Sequence, residues 1–284
     1  MHTVSRKLKS KGKKLATYRK RTYFCIHPET TAPTWAARAT EKTTESNRAR
    51  VMDDFVIKTQ EQLEAKVLEW GFLPFFRNGV PGFSIEEHTP QELWFDDERD
   101  GPWEWKGPVI GSWRCAYGKF FAGKAGFVSL EWLPDFINWR RSQFPLSELG
   151  DEANHVYDVL RRHESLLSKD LKVLSGYSLS RKRRKDPFGL RSTEQPKDGS
   201  ACDKLLLQLE MATYVCIADF EYLVSRKGER YGWGVARYCT PEAMYGNEIA
   251  LPQRTPDESL RRMITHLQNI FPQAPARQME KVIR

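Results

Sequence analysis

Apolar residues at helical spacing mark the first element of the chain beyond its basic N-terminal region. Leu63, Val67 and Trp70 lie three or four residues apart and so share one face of a helix. The preceding Thr59-Gln60-Glu61-Gln62 has the form of a capping box, and Gly71 is a residue type that ends helices. The pattern predicts a helix that stops at this glycine and leads into a buried apolar stretch.

Two strand-like segments around Ala122-Gly123 predict a β-hairpin. Cys115–Phe121 and Lys124–Leu130 are rich in apolar and aromatic residues, and a short loop with glycine is typical between paired strands. A helix is expected next, with Ser129 as its cap and Pro134 in its first turn. Its apolar face consists of Trp132, Phe136 and Trp139.

The pattern of residues 147–238 is typical of a winged helix-turn-helix. A first helix has Val156, Val159 and Leu160 on one face. A second helix runs over Ser168–Ser175, with Ser168 as N-cap and Gly176 just past its end. A third helix runs over Ser200–Met211 and has Leu205, Leu206 and Leu209 on one face. Tyr214–Ile217 and Tyr231–Tyr238 read as paired strands with a basic tip. Three helices followed by a hairpin is the order of a winged helix, whose third helix can enter a DNA groove.

A last helix is expected after Thr255-Pro256-Asp257-Glu258, which combines an N-cap, a proline at the first position and an acidic third residue. The fold class is therefore α+β, mostly helical with small antiparallel hairpins, and contains a winged helix-turn-helix, with a tandem arrangement left open. The expected divisions are a basic disordered leader at 1–51, an aromatic-rich α+β domain at 52–145, a winged-helix domain at 146–245 and a C-terminal helical segment at 246–284.

The net charge of +8 comes from one end of the chain. Residues 1–50 hold thirteen Lys and Arg against three Glu, so the remainder is close to neutral, with about two more acidic than basic residues. Low hydrophobicity and high charge predict a disordered leader, either a nucleic-acid-binding tail or an extension upstream of a true start at Met52. A generally basic body is excluded, and only local basic patches remain.

Several function classes have no support in the sequence. The chain has no apolar run long enough to cross a membrane and no secretory signal, and its five cysteines lack metal-ligand spacing. It also lacks a phosphate-binding loop and a Gly-x-Ser-x-Gly elbow. We therefore expect a cytoplasmic protein with reduced thiols, no cofactor, no metal and no membrane partner.

Several aromatic landmarks resemble a group of uncharacterised bacterial proteins related to the AlkZ-like (YcaQ-type) winged-helix DNA glycosylases. The landmarks are Glu69–Phe76, Pro102–Lys106, Tyr117–Phe121, Gly123–Val128 and the segment ending Tyr231–Tyr238. The resemblance covers roughly residues 55–270. It implies a tandem winged-helix architecture that holds duplex DNA, in enzymes that cut the N-glycosidic bond of alkylated bases.

The resemblance also implies a catalytic Gln-x-Asp or Gln-x-Gln motif shortly after the first helix, where the polar pair activates a water. By order along the chain, the motif falls within Gly71–Phe76, and its two polar positions are Pro74 and Phe76. Neither side chain accepts a proton or orients a water. Gln60-Glu61-Gln62 matches the pattern literally but precedes the expected place, and capping accounts for Gln62.

The candidate DNA-binding residues form three basic groups. They are Arg181, Lys182, Arg183, Arg184 and Lys185 in the insert before the third helix, Lys204 and Gln208 on that helix, and Arg226, Lys227 and Arg230 at the hairpin tip. Adjacent cations contact several phosphates, and Gln208 can read adenine. Against this, basic runs are often solvated loops, and Asp203, Glu210 and Glu229 are expected to dilute the patch. Lys119 and Lys124 are either backbone contacts or ordinary turn lysines.

Glu104 is the one catalytic candidate that the residues offer. It lies between Trp103 and Trp105, and indoles can desolvate a carboxylate and raise its pKa, as a general acid requires. Core packing by the two tryptophans is the alternative interpretation.

Three hypotheses follow. The chain is a duplex-DNA-binding protein that keeps a glycosylase-like scaffold without catalysis; a repair glycosylase that uses a relocated carboxylate, with Glu104 as candidate; or a protein-interaction module. We favour the first.

Overall fold

Helices and strands follow one another along the part of the chain that the structure describes. The computed structural model describes residues 55–95, 98–178, 197–224 and 230–284, without the side chains of 223, 224 and 230–233. The helices are α1 (Gln60–Trp70), α2 (Ile85–His88), α3 (Pro102–Gly111), α4 (Leu133–Gln143), α5 (Asp151–Arg161), α6 (Ser168–Leu174), α7 (Gly199–Met211), α8 (Pro241–Tyr245), α9 (Pro256–Ile270) and α10 (Ala276–Ile283). The strands are β1 (Phe72–Pro74), β2 (Cys115–Phe121), β3 (Lys124–Ser129), β4 (Leu166–Leu167), β5 (Cys216–Val224) and β6 (Arg230–Cys239).

The strands form two small antiparallel sheets, with the orders β1-β3-β2 and β4-β6-β5. The expectation of an α+β protein, mostly helical with small antiparallel hairpins, is therefore confirmed. The described residues form one compact unit, and the finer division at 145 and 245 stays a prediction. No helix of the described residues has the length and apolar content needed to cross a bilayer.

The predicted start and end of α1 are confirmed. Thr59 is the N-cap, and its hydroxyl accepts a hydrogen bond from the backbone N–H of Gln62 at 3.3 Å. The Gln62 side chain in turn accepts from the backbone N–H of Lys58 at 2.7 Å. Gly71 ends the helix with φ 74°, and a Cβ here would lie 2.3 Å from Cδ1 of Trp132. Glycine is therefore required both for backbone conformation and for space.

The predicted hairpin of β2 and β3 is also confirmed. Ala122 and Gly123 have φ values of 49° and 77°. Left-handed conformation at both positions is what a two-residue turn needs if it is to match the twist of the strands. Phe127 in β3 lies opposite Tyr117 in β2 and Leu73 in β1, so β3 is the central strand.

The helix after this hairpin begins later than predicted. Ser129 is the last residue of β3 rather than a cap, because its backbone N–H donates to the carbonyl of Gly71 at 2.8 Å and so extends the sheet. Trp132 occupies the N-cap of α4, and Pro134 lies in its first turn as expected.

Helix α3 was not among the elements predicted from the sequence. Pro102 suits the first helical position, whereas Gly107 and Pro108 in the interior argue against a helix. The helix forms because one of its faces is buried in the core. The buried residues of that face are Trp105, Val109 and Ile110.

The helices and strands expected between residues 147 and 238 are present, with two differences. Ser168 is the first residue of α6 and not its N-cap, since Leu167, the end of β4, takes that position. The strand predicted from Tyr214 begins at Cys216 instead. Tyr214 donates its backbone N–H to the carbonyl of Leu209 at 2.9 Å and therefore belongs to the turn that closes α7.

One hydrophobic core extends through both sheets. Tyr117 of β2 and Phe220 of β5 lie with ring centroids 5.9 Å apart, which joins the two hairpins. At the C-terminal side, the capping box of Thr255 and Glu258 is confirmed, and α9 packs on α4. The four cysteines in the described residues are buried free thiols.

Candidate nucleic-acid interface

Helix α7 presents two of the predicted DNA-binding residues. Asp198 caps the helix by accepting a hydrogen bond from the backbone N–H of Ser200 at 3.1 Å. Lys204 and Gln208 are both exposed, one helical turn apart, as the spacing predicts. The opposite face is buried and includes Cys202, Leu206 and Leu209.

The other predicted DNA-binding residues cannot be placed around this helix. Arg181 to Lys185, together with Arg226 and Lys227, lie outside the described residues. Arg230 begins β6, but its side chain is not described. Of the three basic groups, the structure therefore shows the surroundings of Lys204 and Gln208 only.

Among the acidic residues of α7, Glu210 departs from the expectation that they dilute the basic patch. Glu210 is fully buried, and its Oε1 accepts a hydrogen bond from the backbone N–H of Lys119 at 3.1 Å. It therefore does not dilute an exposed basic patch, and that interpretation is wrong. Asp203 is exposed and forms an ion pair with Lys172 of α6 at 2.7 Å. Glu229 lies outside the described residues.

The two positions expected for the catalytic motif, Pro74 and Phe76, face a groove. Phe75 extends β1, because its backbone N–H donates to the carbonyl of Ala125 at 2.8 Å. Alternation along an extended chain then directs residues 74 and 76 to one side and Phe75 to the other. Phe75 is fully buried, whereas Phe76 is half-buried. Pro74 and Phe76 thus face the same groove, and neither has a polar side-chain group.

This open groove, which we call the basic groove, has a volume of about 670 Å³. Its walls come from the end of β1, the loop after it, the β2–β3 turn and α10. The residues that line it are Pro74, Phe76, Asn78, Gly79, Phe121, Ala122, Lys124, Pro275, Arg277, Gln278, Lys281 and Val282. The apolar part of this surface is the larger one.

Charge in the basic groove is of one sign. Lys124, Arg277 and Lys281 are exposed, and the lining includes neither Asp nor Glu. Arg277 and Lys281 lie one turn apart on α10, facing the groove together. With no carboxylate in the lining, these cations favour an anionic ligand and leave no general base at the wall.

Glu104 lies outside the basic groove. It is exposed at the third position of α3, and its Oε2 accepts a hydrogen bond from the backbone N–H of Gly101 at 3.0 Å. This is a helix-capping contact. Its catalytic role stays a prediction that the geometry does not support. Across the described residues, no group of three His, Cys, Asp or Glu side chains is arranged to hold a metal ion.

Sequence comparison agrees with the extent of this fold. A family model described as AlkZ related matches residues 57–284, which contain every helix and strand above. The chain belongs to the AlkZ-related family. Comparison with curated proteins gave no match, and comparison with solved structures gave none. Membership in the AlkZ-related family supports the glycosylase-like scaffold that the aromatic landmarks indicated.

Only part of the basic groove was predicted from the sequence. Pro74 and Phe76 follow from the resemblance and Lys124 from its place beside the hairpin turn, whereas Arg277 and Lys281 were not predicted. The available signal was local: two cations one turn apart beside the apolar face of α10, which includes Met279. Nothing local indicated that this face packs beside a hairpin about 150 residues earlier.

Proposed function

We propose that this AlkZ-related protein binds duplex DNA through a winged helix formed by residues 151–239 and does not cleave glycosidic bonds. The order α5-β4-α6-α7-β5-β6 with the sheet β4-β6-β5 supports the winged helix, because this motif places its third helix for DNA contact and follows it with a hairpin. We take 146–245 as the winged-helix domain, between 52–145 and 246–284, of a cytoplasmic protein.

The observation that carries DNA binding is the exposed face of α7. Lys204 can neutralise a phosphate, and Gln208 can form paired hydrogen bonds with adenine. The single buried carboxylate of α7, Glu210, faces the core, and the exposed residues of the helix are Ser200, Asp203, Lys204 and Gln208. The basic residues Arg181 to Lys185 precede this helix in the chain, and Arg226, Lys227 and Arg230 follow it.

The lack of glycosylase chemistry is supported by Pro74 and Phe76. Hydrolysis of a glycosidic bond needs a group that positions or deprotonates water. Neither residue does this, and no carboxylate lines the basic groove. Glu104, the alternative acid, caps α3 instead.

Binding of labelled duplex DNA to the full chain across a salt series tests this proposal. Lys204→Glu is expected to weaken binding about tenfold and to lower the salt slope by about one, since one phosphate contact is lost. Arg183→Glu/Arg184→Glu should have a larger effect of the same kind. Arg261→Glu is the matched control, because Arg261 is exposed on α9.

Equal binding by all these variants would contradict the winged-helix assignment and favour the protein-interaction hypothesis. Incubation with alkylated duplex tests the catalytic part of the proposal. We expect no release of modified base, and release that is lost in Glu104→Gln would establish the relocated-carboxylate hypothesis instead.

A further inference from the structure

The basic groove combines an aromatic surface with three cations, and none of its residues belongs to the segment 151–239. We propose that it binds a single unstacked nucleotide of DNA, with the base against Phe76 and the adjoining phosphates against Lys124, Arg277 and Lys281. This inference rests on the proposed function only in taking DNA as the ligand.

Phe76 has the features of a stacking surface. Its ring is half-buried and packs against Phe75, Trp94 and Trp103, with centroids 5.5, 6.3 and 6.0 Å away. These neighbours restrict the ring, so little conformational freedom is lost when a base packs against the part of Phe76 that lines the groove. Stacking on an aromatic side chain accounts for roughly fivefold to hundredfold in affinity per base.

The three cations supply the positive charge that the phosphates would contact. Lys124 follows the β2–β3 turn, while Arg277 and Lys281 come from α10, so positive charge reaches the groove from two elements. The first turn of α10 also lies at the groove and adds the positive end of its helix dipole. An aromatic surface beside a positively charged groove is the arrangement with which proteins hold unpaired nucleotides.

Size and polar groups favour one nucleotide over a longer segment. A volume of about 670 Å³ lies in the range of small-ligand sites. Asn78 has both ends of its amide occupied, by the carbonyl of Phe83 at 2.6 Å and the N–H of Val80 at 2.9 Å. The Gln278 side chain has no hydrogen-bond partner within the described ranges and remains available to a base edge.

The close fit of Gln278 depends on Gly79. A Cβ at position 79 would lie 3.3 Å from Nε2 of Gln278, tighter than ordinary packing. Glycine therefore leaves room for this amide beside it in the groove. A larger residue would displace the amide from the place where a base edge would meet it.

An unstacked nucleotide has two sources in DNA, a bulge within a duplex and a single strand. The test measures binding of the full chain to a labelled duplex, the same duplex with a one-nucleotide bulge, and the corresponding single strand. The variants are Phe76→Leu, which loses the aromatic face, Phe76→Tyr, which keeps it, and Lys281→Glu. Arg261→Glu is again the control for a changed exposed cation.

We expect the wild-type chain to bind bulged duplex or single strand at least fivefold more tightly than intact duplex. Phe76→Leu should remove this preference, Phe76→Tyr should keep it, and Lys281→Glu should weaken the preferred DNA more than intact duplex. A 2-aminopurine placed in the bulge should be quenched on binding to the wild-type chain and not to Phe76→Leu.

Equal affinity for all three DNAs, or variants that weaken them equally, would overturn the inference. If intact-duplex binding and its dependence on Lys204 persist in that case, the proposed function stands and only the groove assignment fails. Absence of binding to any DNA would overturn both. Lys281→Glu, which changes an exposed side chain, keeps the test decisive if Phe76→Leu does not fold.

Discussion

The carboxylate of Glu210 accepts a hydrogen bond from the backbone N–H of Lys119 at 3.1 Å, so the end of α7 is tied to β2. The second oxygen, Oε2, is buried and has no partner among the described residues. Burial raises the pKa of Glu210 to about 7, and the charge of Lys119 and its backbone hydrogen bond oppose this only in part. The contact therefore joins α7, the helix proposed to contact DNA, to the β2–β3 hairpin that borders the basic groove.

Stability should depend on pH through Glu210. Because the folded-state pKa is above the ordinary value, the folded protein keeps this proton after the unfolded chain has lost it. Stability is full below the unfolded pKa and falls as pH rises towards 7, at about 1.4 kcal/mol per pH unit. The free energy of unfolding should lose about 3 kcal/mol between pH 4.5 and pH 8 from this group.

Glu210→Gln tests this dependence, because glutamine keeps an acceptor oxygen but does not titrate. The stability difference between wild type and variant, from urea unfolding, should shift by about 3 kcal/mol in favour of the variant over that range. Glu248→Gln changes an exposed carboxylate and should give no such shift. A difference that is constant with pH would show that Glu210 does not titrate in this way.

Asp135 should be the polar residue on which the packing of α4 and α9 depends most. It is almost fully buried and accepts hydrogen bonds from Arg254 at 2.6 Å, Ser259 at 2.8 Å and Arg262. Asp135→Asn leaves two arginines without their anion and should cost about 3 kcal/mol in urea unfolding.

Glu131→Gln is the matched control for Asp135→Asn. Glu131 also contacts Arg262, at 3.8 Å, but its side chain is 66% exposed. Solvent screens such pairs, so the expected cost is below about 1 kcal/mol. Similar losses in the two variants would mean that burial of Asp135 adds nothing to the ion pairs.

The elements that could be predicted from sequence are those with local signals. The ends of α1 follow from Thr59 and Gly71, and the hairpin turn follows from Gly123, because caps and turns act over a few residues. The basic groove was not predictable as a whole, since Lys281 and Phe76 line the same groove only through tertiary packing. Likewise, Glu210 is expected at the surface because carboxylates are seldom buried, although it follows Leu206 by one helical turn on the buried face of α7.

Gly71→Ala should be strongly destabilising, and Gly107→Ala should not. At Gly71, φ is 74° and a Cβ would meet the indole of Trp132, so the change combines backbone strain with overlap in the core. We expect the free energy of unfolding to fall by about 3 kcal/mol.

A Cβ at Gly107 in α3 meets no described atom within 4 Å, and alanine there should stabilise the helix by about 0.5–1 kcal/mol. Thermal unfolding of both variants checks the pair, and a mild effect at Gly71 would contradict the close packing of Trp132.

Adjacent arginines on α4 should respond in opposite ways to replacement by methionine. Arg140 is fully buried, donates from Nη2 to the carbonyl of Phe120, and leaves Nε and Nη1 without partners among the described residues. Burial lowers the pKa of this guanidinium to about 9, which reports the cost of keeping its charge in the core.

Arg140→Met fills most of the same space without a charge, so the free energy of unfolding at pH 7 should stay the same or rise by about 1–2 kcal/mol.

Arg141 instead pairs with Glu242 at 2.5 Å and donates to the carbonyl of Thr213 at 3.0 Å. Arg141→Met therefore leaves a half-buried carboxylate unpaired and should cost about 1–3 kcal/mol. Urea unfolding of the two variants under one condition makes the comparison. A larger loss at Arg140 than at Arg141 would show that the buried guanidinium stabilises the fold through partners other than Phe120.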